Sequence, residues 1–298
     1  MTKILSAVER ELRTQPACWQ AAVAAAAEHR RALPRNGERV AAVGCGTSLF
    51  MARAYAELRE RAGHGETDAF AASEYRPGRR YDRVVAISRS GTTTEVIEVL
   101  RSMPTTPTTL LTAAAGTPAA ELVTDVVELT GAAEQAIVQT RFPTTALALL
   151  RACLGERLEG VIADADAAVS GALPVDPATH HQFTFLGRGW AAGLADEAAL
   201  KCREAAGAWT ESYPAMEYRH GPISVSGPGT VVWMLGPAPN GLADDVAATG
   251  ATFVESALDP MAELIRAQRM AVALAAHNER DPDRPRSLTF SIILDATP

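Results

Sequence analysis

The sequence predicts an α/β protein made of two tandem units, each a parallel sheet flanked by helices in three layers. First, short apolar, β-branched segments alternate with segments whose apolar residues recur at helical spacing, which is typical of a parallel sheet with crossover helices. Second, small or hydroxyl-bearing residues follow several of the predicted strands. Third, the pattern starts again after the proline-containing stretch 173–177. We therefore expect a first domain at 1–172 and a second at 173–298, both of ordinary domain size.

The first half begins with a long helical segment and continues with five strands. The helix is predicted over 2–33, with an interruption near Gln15-Pro16, because proline is better tolerated at the start of a helix than inside one. The strands are predicted at 38–44, 67–72, 83–87, 107–112 and 124–129, and helices at 49–61, 95–100 and, largely, 142–172.

The second half repeats this plan. A strand at 182–187 leads through Gly187-Arg188-Gly189 into a helix at 190–206. Further strands are expected at 208–212, 229–235, 251–256 and 287–294. The repetition indicates an internal duplication of one α/β unit.

A turn rich in hydroxyl groups, at 88–95, follows the predicted strand 83–87 and opens a helix. Thr92 and Glu95 have the spacing of a capping box. Backbone N–H groups and the positive end of the helix dipole face outward at such a turn, which makes it suitable for an anion. An ordinary capped turn is the alternative that this stretch alone leaves open. The hydroxyl groups belong to Ser88, Ser90, Thr92 and Thr93.

A second turn of the same kind lies at 44–48, between the strand 38–44 and the helix 49–61. It begins like a dinucleotide-binding fingerprint, but Leu49 stands where the third glycine is required. With Thr47 and Ser48 it forms a small, hydroxyl-bearing turn that pairs naturally with the turn at 88–95. The segment 187–192 fits the nucleotide fingerprint better, yet the bulky Trp190 stands where the backbone should approach a pyrophosphate. We therefore expect no cofactor.

The helix at 190–206 carries three charged residues at spacings of four and three. Glu197, Lys201 and Glu204 are thereby placed on one helical face. A solvated ladder of salt bridges is the ordinary interpretation of this spacing. A catalytic role is the alternative, and it is favoured by His220, which follows a proline-containing loop of the kind that often holds catalytic groups.

Composition and charge exclude several classes of function. The net charge of −7 and the absence of a basic stripe argue against nucleic acid and anionic membranes as partners. The four cysteines are scattered, and the six histidines show no metal-binding spacing, so we expect neither a disulfide framework nor a metal. The N-terminus lacks a signal-peptide pattern and no apolar run reaches membrane-spanning length, which predicts a cytoplasmic protein.

Seven segments, in order along the chain, resemble the sugar isomerase (SIS) domain family. The similarity is greatest to the isomerase half of glucosamine-6-phosphate synthase and to related sugar-phosphate isomerases and deaminases, which implies a flavodoxin-like sandwich in each unit. The segments are Glu11 to Pro16, Gly44 to Ser48, Ala72 to Tyr75, Ser88 to Thr93, Glu197 to Glu204, Glu217 to Pro222 and Asp283 to Leu288.

The resemblance implies roles for individual residues. Glu204 would be the base that moves a proton between C1 and C2 of the sugar. On chemical grounds, Lys201, one helical turn away, is expected to stabilise the intermediate or to hold Glu204 in place. His220 would open the sugar ring from the partner subunit of a homodimer. The phosphate contacts would come from Thr47, Ser48, Ser88, Arg89, Ser90 and Thr93.

Three positions depart from the synthase. Phe290 stands where the synthase has a lysine that forms a Schiff base, and phenylalanine can neither condense with a carbonyl nor donate a proton. The Val and Ser of another family segment are replaced by Ile137 and Gln139. The function expected from the resemblance is an aldose–ketose isomerase or a deaminase acting on a 6-phosphorylated sugar or amino sugar, with a 6-sulfonated sugar as a further possibility. The alternative is a non-catalytic, sugar-phosphate-binding regulatory protein.

Overall fold

The computed structural model of the protein describes residues 5–294 and divides the chain into two compact units. The five-strand unit comprises Ala17–Gln135, Arg141–Leu158 and Thr289–Pro298, and the four-strand unit comprises Met1–Pro16, Ala136–Thr140 and Glu159–Leu288. Each unit is thus built from three separate segments of the chain, whereas the prediction divides the chain once, between residues 172 and 173. That division stays a prediction about the folding domains.

The sheet of the five-strand unit is parallel throughout, with the order β2-β1-β3-β4-β5. Every residue of β1, β3 and β4 is buried, as expected for central strands covered on both faces. The strands are β1 Val40–Gly44, β2 Thr67–Ala71, β3 Arg83–Ile87, β4 Thr108–Thr112 and β5 Asp125–Glu128. All five lie where the sequence predicts them.

The four-strand unit repeats this order with one strand fewer. Its parallel sheet has the order β7-β6-β8-β9, and β6 and β8 are almost wholly buried. The strands are β6 Gln182–Gly187, β7 Thr210–Pro214, β8 Thr230–Leu235 and β9 Thr252–Val254. The predicted α/β fold class is therefore confirmed, with two parallel sheets flanked by helices.

Ten α-helices lie within residues 5–294. They are α1 Ala7–Arg13, α2 Gln15–Ala24, α3 Ala26–His29, α4 Thr47–Arg61, α5 Thr94–Arg101, α6 Arg141–Cys153, α7 Glu159–Ser170, α8 Ala191–Ala206, α9 Leu242–Thr249 and α10 Pro260–His277. The long helix predicted over 2–33 is therefore three helices and a 3-10 turn, and its residues 2–4 lie outside the described residues. None of the described helices is both long and apolar enough to cross a membrane.

Local sequence explains where several of these helices begin and end. Ser6 accepts a hydrogen bond from the Glu9 N–H at 3.1 Å while its own N–H donates to the Glu9 carboxylate at 3.0 Å, a complete capping box for α1. Asp259 caps α10, and Pro260 occupies the first helical position. Gly207 ends α8 in the left-handed conformation.

One predicted element is wrong: the described residues 287–294 form no strand. The segment packs instead against the start of α5, with the Thr94 N–H donating to the Ile292 carbonyl at 3.1 Å. The Leu294 N–H donates to the Thr94 hydroxyl at 2.8 Å. These backbone groups therefore bond to a helix terminus rather than to a neighbouring strand.

Strand order places a crevice in each sheet. In both units the first strand in sequence is internal. The second strand is added on one side of it and the later strands on the other, so the strand order reverses between β1 and β3 and between β6 and β8. Ligands of open α/β sheets bind at the carboxyl ends of the strands at such a reversal. The two turns rich in hydroxyl groups follow β1 and β3, so the fold brings them to one edge of the five-strand sheet.

Candidate active site

The first hydroxyl-bearing turn joins β1 to α4. Thr47 and Ser48 occupy the first two helical positions and are buried. The N-cap residue is Gly46, which has no side chain to cap the helix, so the positive end of the helix dipole is left without a capping side chain. Burial raises the pKa of the neighbouring Cys45 thiol to about 11, and the Glu95 carboxylate adds to this effect. Cys45 is therefore a neutral thiol at pH 7.

The second turn is held together by its own hydroxyl groups. Ser88 Oγ accepts a hydrogen bond from the Gly91 N–H at 3.2 Å. Ser90 Oγ accepts bonds from the N–H of Thr92 at 3.2 Å and from its hydroxyl at 2.9 Å. Several hydroxyl groups are thus fixed on one short loop at the carboxyl end of β3.

The predicted capping box of Thr92 and Glu95 is wrong. Helix α5 begins one residue later than that pattern requires, with Thr93 at the N-cap and no side-chain capping bond among the described residues. The Thr92 hydroxyl bonds to Ser90 instead, because both side chains face the same loop. The backbone N–H groups at the start of α5 are therefore not occupied by a Thr92 cap.

Gly91 is required where it stands. Its φ angle of +62° lies in the left-handed region, and a Cβ atom there would be 2.1 Å from the Thr117 Oγ1 atom. The Ala119 N–H donates to the Gly91 carbonyl at 3.0 Å, so the loop that contains Thr117 is fixed against the turn. The sequence predicted the turn but contained no indication of this supporting loop.

The C-terminal segment, residues 289–294, contacts the second turn within the five-strand unit. The Ser291 hydroxyl lies 3.1 Å from the Ser90 Oγ, 3.0 Å from the Thr92 Oγ1 and 3.4 Å from the Thr93 Oγ1. It is therefore surrounded by the hydroxyl groups that were predicted to bind an anion. No feature of the sequence indicated Ser291, although its neighbour Phe290 was singled out.

Arg89 connects the same segment to the turn. Its side chain is only 3% exposed, and the guanidinium lies 3.4 Å from the Glu134 carboxylate. The guanidinium also donates to the Phe290 carbonyl at 2.9 Å and lies 3.8 Å from the centre of the Phe290 ring. These contacts engage Arg89 within the protein, and its predicted phosphate contact stays a prediction.

The charged face of α8 is buried, which excludes the solvated salt-bridge ladder. Glu197 and Lys201 have side chains 0% and 1% exposed, and their charged atoms are 3.3 Å apart. Lys201 also bonds to the Glu204 carboxylate, whose side chain is 18% exposed. One ammonium group is thus held between two carboxylates, and the more accessible carboxylate is that of Glu204.

Burial by itself would lower the pKa of Lys201, since it disfavours the charged form. The carboxylates of Glu197 and Glu204 outweigh this effect, so the pKa of Lys201 is raised above its usual value. The lysine is therefore an ammonium group at neutral pH. It can hold or stabilise negative charge, and it is a poor nucleophile in this state.

His220 ends a short 3-10 helix, Glu217–His220, after β7. The two residues before the histidine anchor this loop: Tyr218 is fully buried, and Arg219 donates to the Asp245 carboxylate at 2.6 Å and to the Asn240 carbonyl at 2.9 Å. His220 itself is exposed. The structure thus presents this imidazole at the surface of the four-strand unit on an anchored loop.

Gly187, the first residue of the segment that fits the nucleotide fingerprint, has a packing explanation. A Cβ atom on Gly187 would lie 2.2 Å from the Ala191 carbonyl oxygen, because α8 starts directly against the end of β6. Trp190 is buried at the N-cap of α8. The close contact of strand and helix accounts for Gly187 without a nucleotide.

The site residues fall into two groups, one in each unit. The five-strand unit brings together Ser88, Arg89, Ser90 and Thr93 on one turn and places Thr47 and Ser48 on the neighbouring turn. The four-strand unit brings together Lys201 and Glu204 and holds His220 on its own loop. The residues that the sequence did not indicate are Ser291, Glu134 and Thr117.

Comparison with known proteins finds relatives of similar sequence and solved structures of similar fold. No family model matches the chain. A glutamine–fructose-6-phosphate aminotransferase (isomerizing) of Thermus thermophilus is 28% identical over 324 aligned residues, covering 88% of this chain. The match covers 53% of that protein, so this chain spans about half the length of its curated relative.

Solved structures share the fold over almost the whole chain. The glucosamine-6-phosphate deaminase of Thermotoga maritima has a TM-score of 0.83 at 24% identity, with 97% of this chain and 100% of that chain covered. The tagatose-6-phosphate ketose/aldose isomerase of Escherichia coli has a TM-score of 0.76 at 19% identity, with 93% and 95% covered. These likenesses show a shared fold, which agrees with the resemblance to the sugar isomerase (SIS) family described for the sequence.

Proposed function

We propose that the protein is an aldose–ketose isomerase or a deaminase acting on a 6-phosphorylated sugar or amino sugar. The observation that carries the proposal is the buried Glu197–Lys201–Glu204 cluster, which places a partly accessible carboxylate beside a fixed ammonium group. The activities for which the relative and the two structural neighbours are named, all on 6-phosphorylated sugars, support the same chemistry.

Isomerisation requires a base for the weakly acidic C–H next to the carbonyl and a positive group for the oxygen that gains charge. Glu204 is the proposed base, because its carboxylate is the more exposed of the two. Lys201 is the proposed positive group, since it is held as an ammonium ion between two carboxylates. With an amino sugar, the same proton transfer leaves an imine at C2, whose hydrolysis releases ammonia.

The phosphate group is proposed to bind at the turns after β1 and β3. Hydroxyl groups and helix N-termini at the carboxyl ends of parallel strands are well suited to an oxyanion. Thr47, Ser48, Ser88, Ser90 and Thr93 are the proposed ligands. Since the Ser291 hydroxyl lies among three of the hydroxyls of the second turn, we expect the phosphate to displace it.

Phe290 limits the route of the reaction. The sequence contains only two lysines, Lys3 and Lys201. Because Lys201 is held as an ammonium ion, we propose that the reaction proceeds through an enediol or enolamine without a lysine Schiff base. Borohydride added with the ketose substrate should then trap no adduct, whereas an adduct on Lys201 would contradict this route.

The proposed function is tested by incubating the protein with glucosamine-6-phosphate, fructose-6-phosphate and their epimers, with separate assays for ammonia and for ketose. Formation of either product above a Glu204→Gln control supports the enzyme. Tight binding of a sugar phosphate with no turnover of any of them would support the alternative, a sugar-phosphate-binding regulatory protein. A substrate that turns over with its 6-phosphate removed would contradict the role of the turns.

His220 is proposed to open the sugar ring in a site shared between two subunits of a homodimer. The exposed position of its imidazole, on a loop separate from α8, supports this role. Mixing inactive His220→Ala and Glu204→Gln chains should restore part of the activity, because a hybrid dimer would contain one complete site. No recovery after demonstrated subunit exchange would contradict a shared site.

A further inference from the structure

A groove in the four-strand unit is lined by none of the residues assigned to the reaction. It opens between α1, α7 and α10 and has a volume of about 170 Å³. Most of its wall is apolar, and two arginines are among the residues that line it. The apolar residues include Leu12, Val169, Leu173 and Val272, and the arginines are Arg13 and Arg269.

The two arginines give the groove a net positive charge. Neither Arg13 nor Arg269 makes an ion pair among residues 5–294, although nearby Arg266 is paired with Glu263 at 3.0 Å. Glu9 also lines the groove, and its carboxylate, which accepts the Ser6 N–H at the start of α1, offsets one of the two positive charges. One of the two positive charges therefore remains in excess in the groove.

Arg269 is fixed in place. Its Nη1 donates to the Ala168 carbonyl at 2.6 Å, near the end of α7. Burial lowers the pKa of Arg269, and the positive charges of Arg13 and Arg266 lower it further. An anion bound in the groove would remove this unfavourable interaction between like charges.

Two adjacent guanidinium groups suit an oxyanion, because each presents N–H donors in a planar fork. The apolar wall suits a hydrocarbon body. A cavity of about 150 Å³ lined by apolar side chains can hold a molecule of the size of benzene, so this groove has room for about six carbon atoms. The ligand that fits both features has an anionic head and a short apolar body.

We propose that the groove between α1, α7 and α10 binds a small organic anion, a carboxylate or phosphate monoester with an apolar body of about six carbon atoms. The head contacts Arg13 and Arg269, and the body contacts Leu12, Val169 and Val272. This site is separate from the residues of the proposed reaction, so it stands whether or not the protein turns over a sugar phosphate.

Isothermal titration calorimetry of the full chain with four probes tests the proposal. Hexanoate and hexyl phosphate present the anion and the body together, hexan-1-ol presents the body alone, and inorganic phosphate presents the anion alone. Saturable binding of hexanoate or hexyl phosphate, at least about tenfold tighter than either single-feature probe, supports the proposal. The tighter of the two identifies the head group. Equal binding of hexanol and hexanoate would overturn it.

Variants locate the binding. Arg13→Gln should weaken binding of the tighter probe about tenfold or more, because a charge-assisted hydrogen bond is lost. Arg10→Gln removes the same charge from the exposed side of α1 and should leave the affinity unchanged. Ala273→Leu fills the groove while keeping both arginines and should abolish binding. Unchanged affinity in Arg13→Gln and Ala273→Leu would overturn the assignment of the site.

Discussion

The five-strand and four-strand units have the same strand order around their first strand, but their polar groups lie in different places. In the five-strand unit the polar groups are hydroxyls on the turns after β1 and β3. In the four-strand unit the turn after β6 carries Arg188 and Trp190, and the charged groups lie within α8, two to four turns from its start. One unit thus offers hydrogen-bond donors at a sheet edge, and the other offers a buried charge cluster.

This difference separates the features that strand order determines from those that the side chains determine. Strand order determines where a crevice opens at the carboxyl edge of a sheet, and it does so equally in both units. The chemistry depends on the side chains that each unit supplies, which the strand order does not determine. We therefore propose that one unit binds the anion and the other transfers the proton, and these two proposals can be tested separately.

The largest expected effect comes from removing the central charge of the α8 cluster. Lys201→Met keeps the length of the side chain but leaves two carboxylates, one of them fully buried, without their ammonium partner. We expect the free energy of unfolding to fall by about 3–5 kcal/mol, measured by urea denaturation at pH 7. The double variant Glu197→Gln with Lys201→Met should recover much of this loss, because it removes the buried, unpaired carboxylate. Equal stability of the single and double variants would contradict this explanation.

The same cluster predicts a pH dependence. The pKa of Lys201 is raised above its usual value of 10.5, so its stabilising contribution is complete below that pH. The contribution is lost as the pH rises through the folded-state pKa, where the ammonium group loses its proton. The stability difference between the wild type and Lys201→Met should therefore shrink above pH 10.5.

The next effect separates chemistry from binding. Glu204→Gln keeps the shape of the side chain and removes the base, so kcat should fall by about 10²-fold or more while KM changes little. Solvent deuterium should enter C1 or C2 of the product with the native enzyme and not with the variant. Glu217→Gln is the control, because Glu217 is an exposed carboxylate in the same unit and the next candidate for the base. Undiminished exchange in Glu204→Gln would move the base elsewhere.

The smallest effects concern the turn after β3. Ser90→Ala should raise the KM for a phosphorylated sugar about fivefold to tenfold with little change in kcat, because one hydrogen bond to a charged group is lost. Ser291→Ala should lower the same KM by about twofold, since its hydroxyl leaves the position that the phosphate takes. An increase in KM for Ser291→Ala would mean that the hydroxyl binds the phosphate together with the turn.

The sequence predicted those features that depend on local pattern. Apolar β-branched runs located β3 and β6 to the residue, and helical spacing placed Glu197, Lys201 and Glu204 on one face. Features that depend on distant contacts were missed. The segment 287–294 is apolar enough to resemble a strand, yet its backbone bonds to Thr94. The capping box failed for a local reason: Ser90, two residues earlier, accepts the hydrogen bond of the Thr92 hydroxyl, which spacing alone cannot reveal.

Because the sequence contains only two lysines, cleavage at Lys201 can be used to measure local unfolding of α8. A protease that cleaves only after lysine has two sites in this chain, and the second follows a residue whose side chain is 1% exposed within a helix. Cleavage into fragments 1–201 and 202–298 therefore requires α8 to unwind. When opening and closing are fast relative to cleavage, the digestion rate measures the population of open molecules. A ligand that holds α8 closed would then be recognised by the survival of the intact chain.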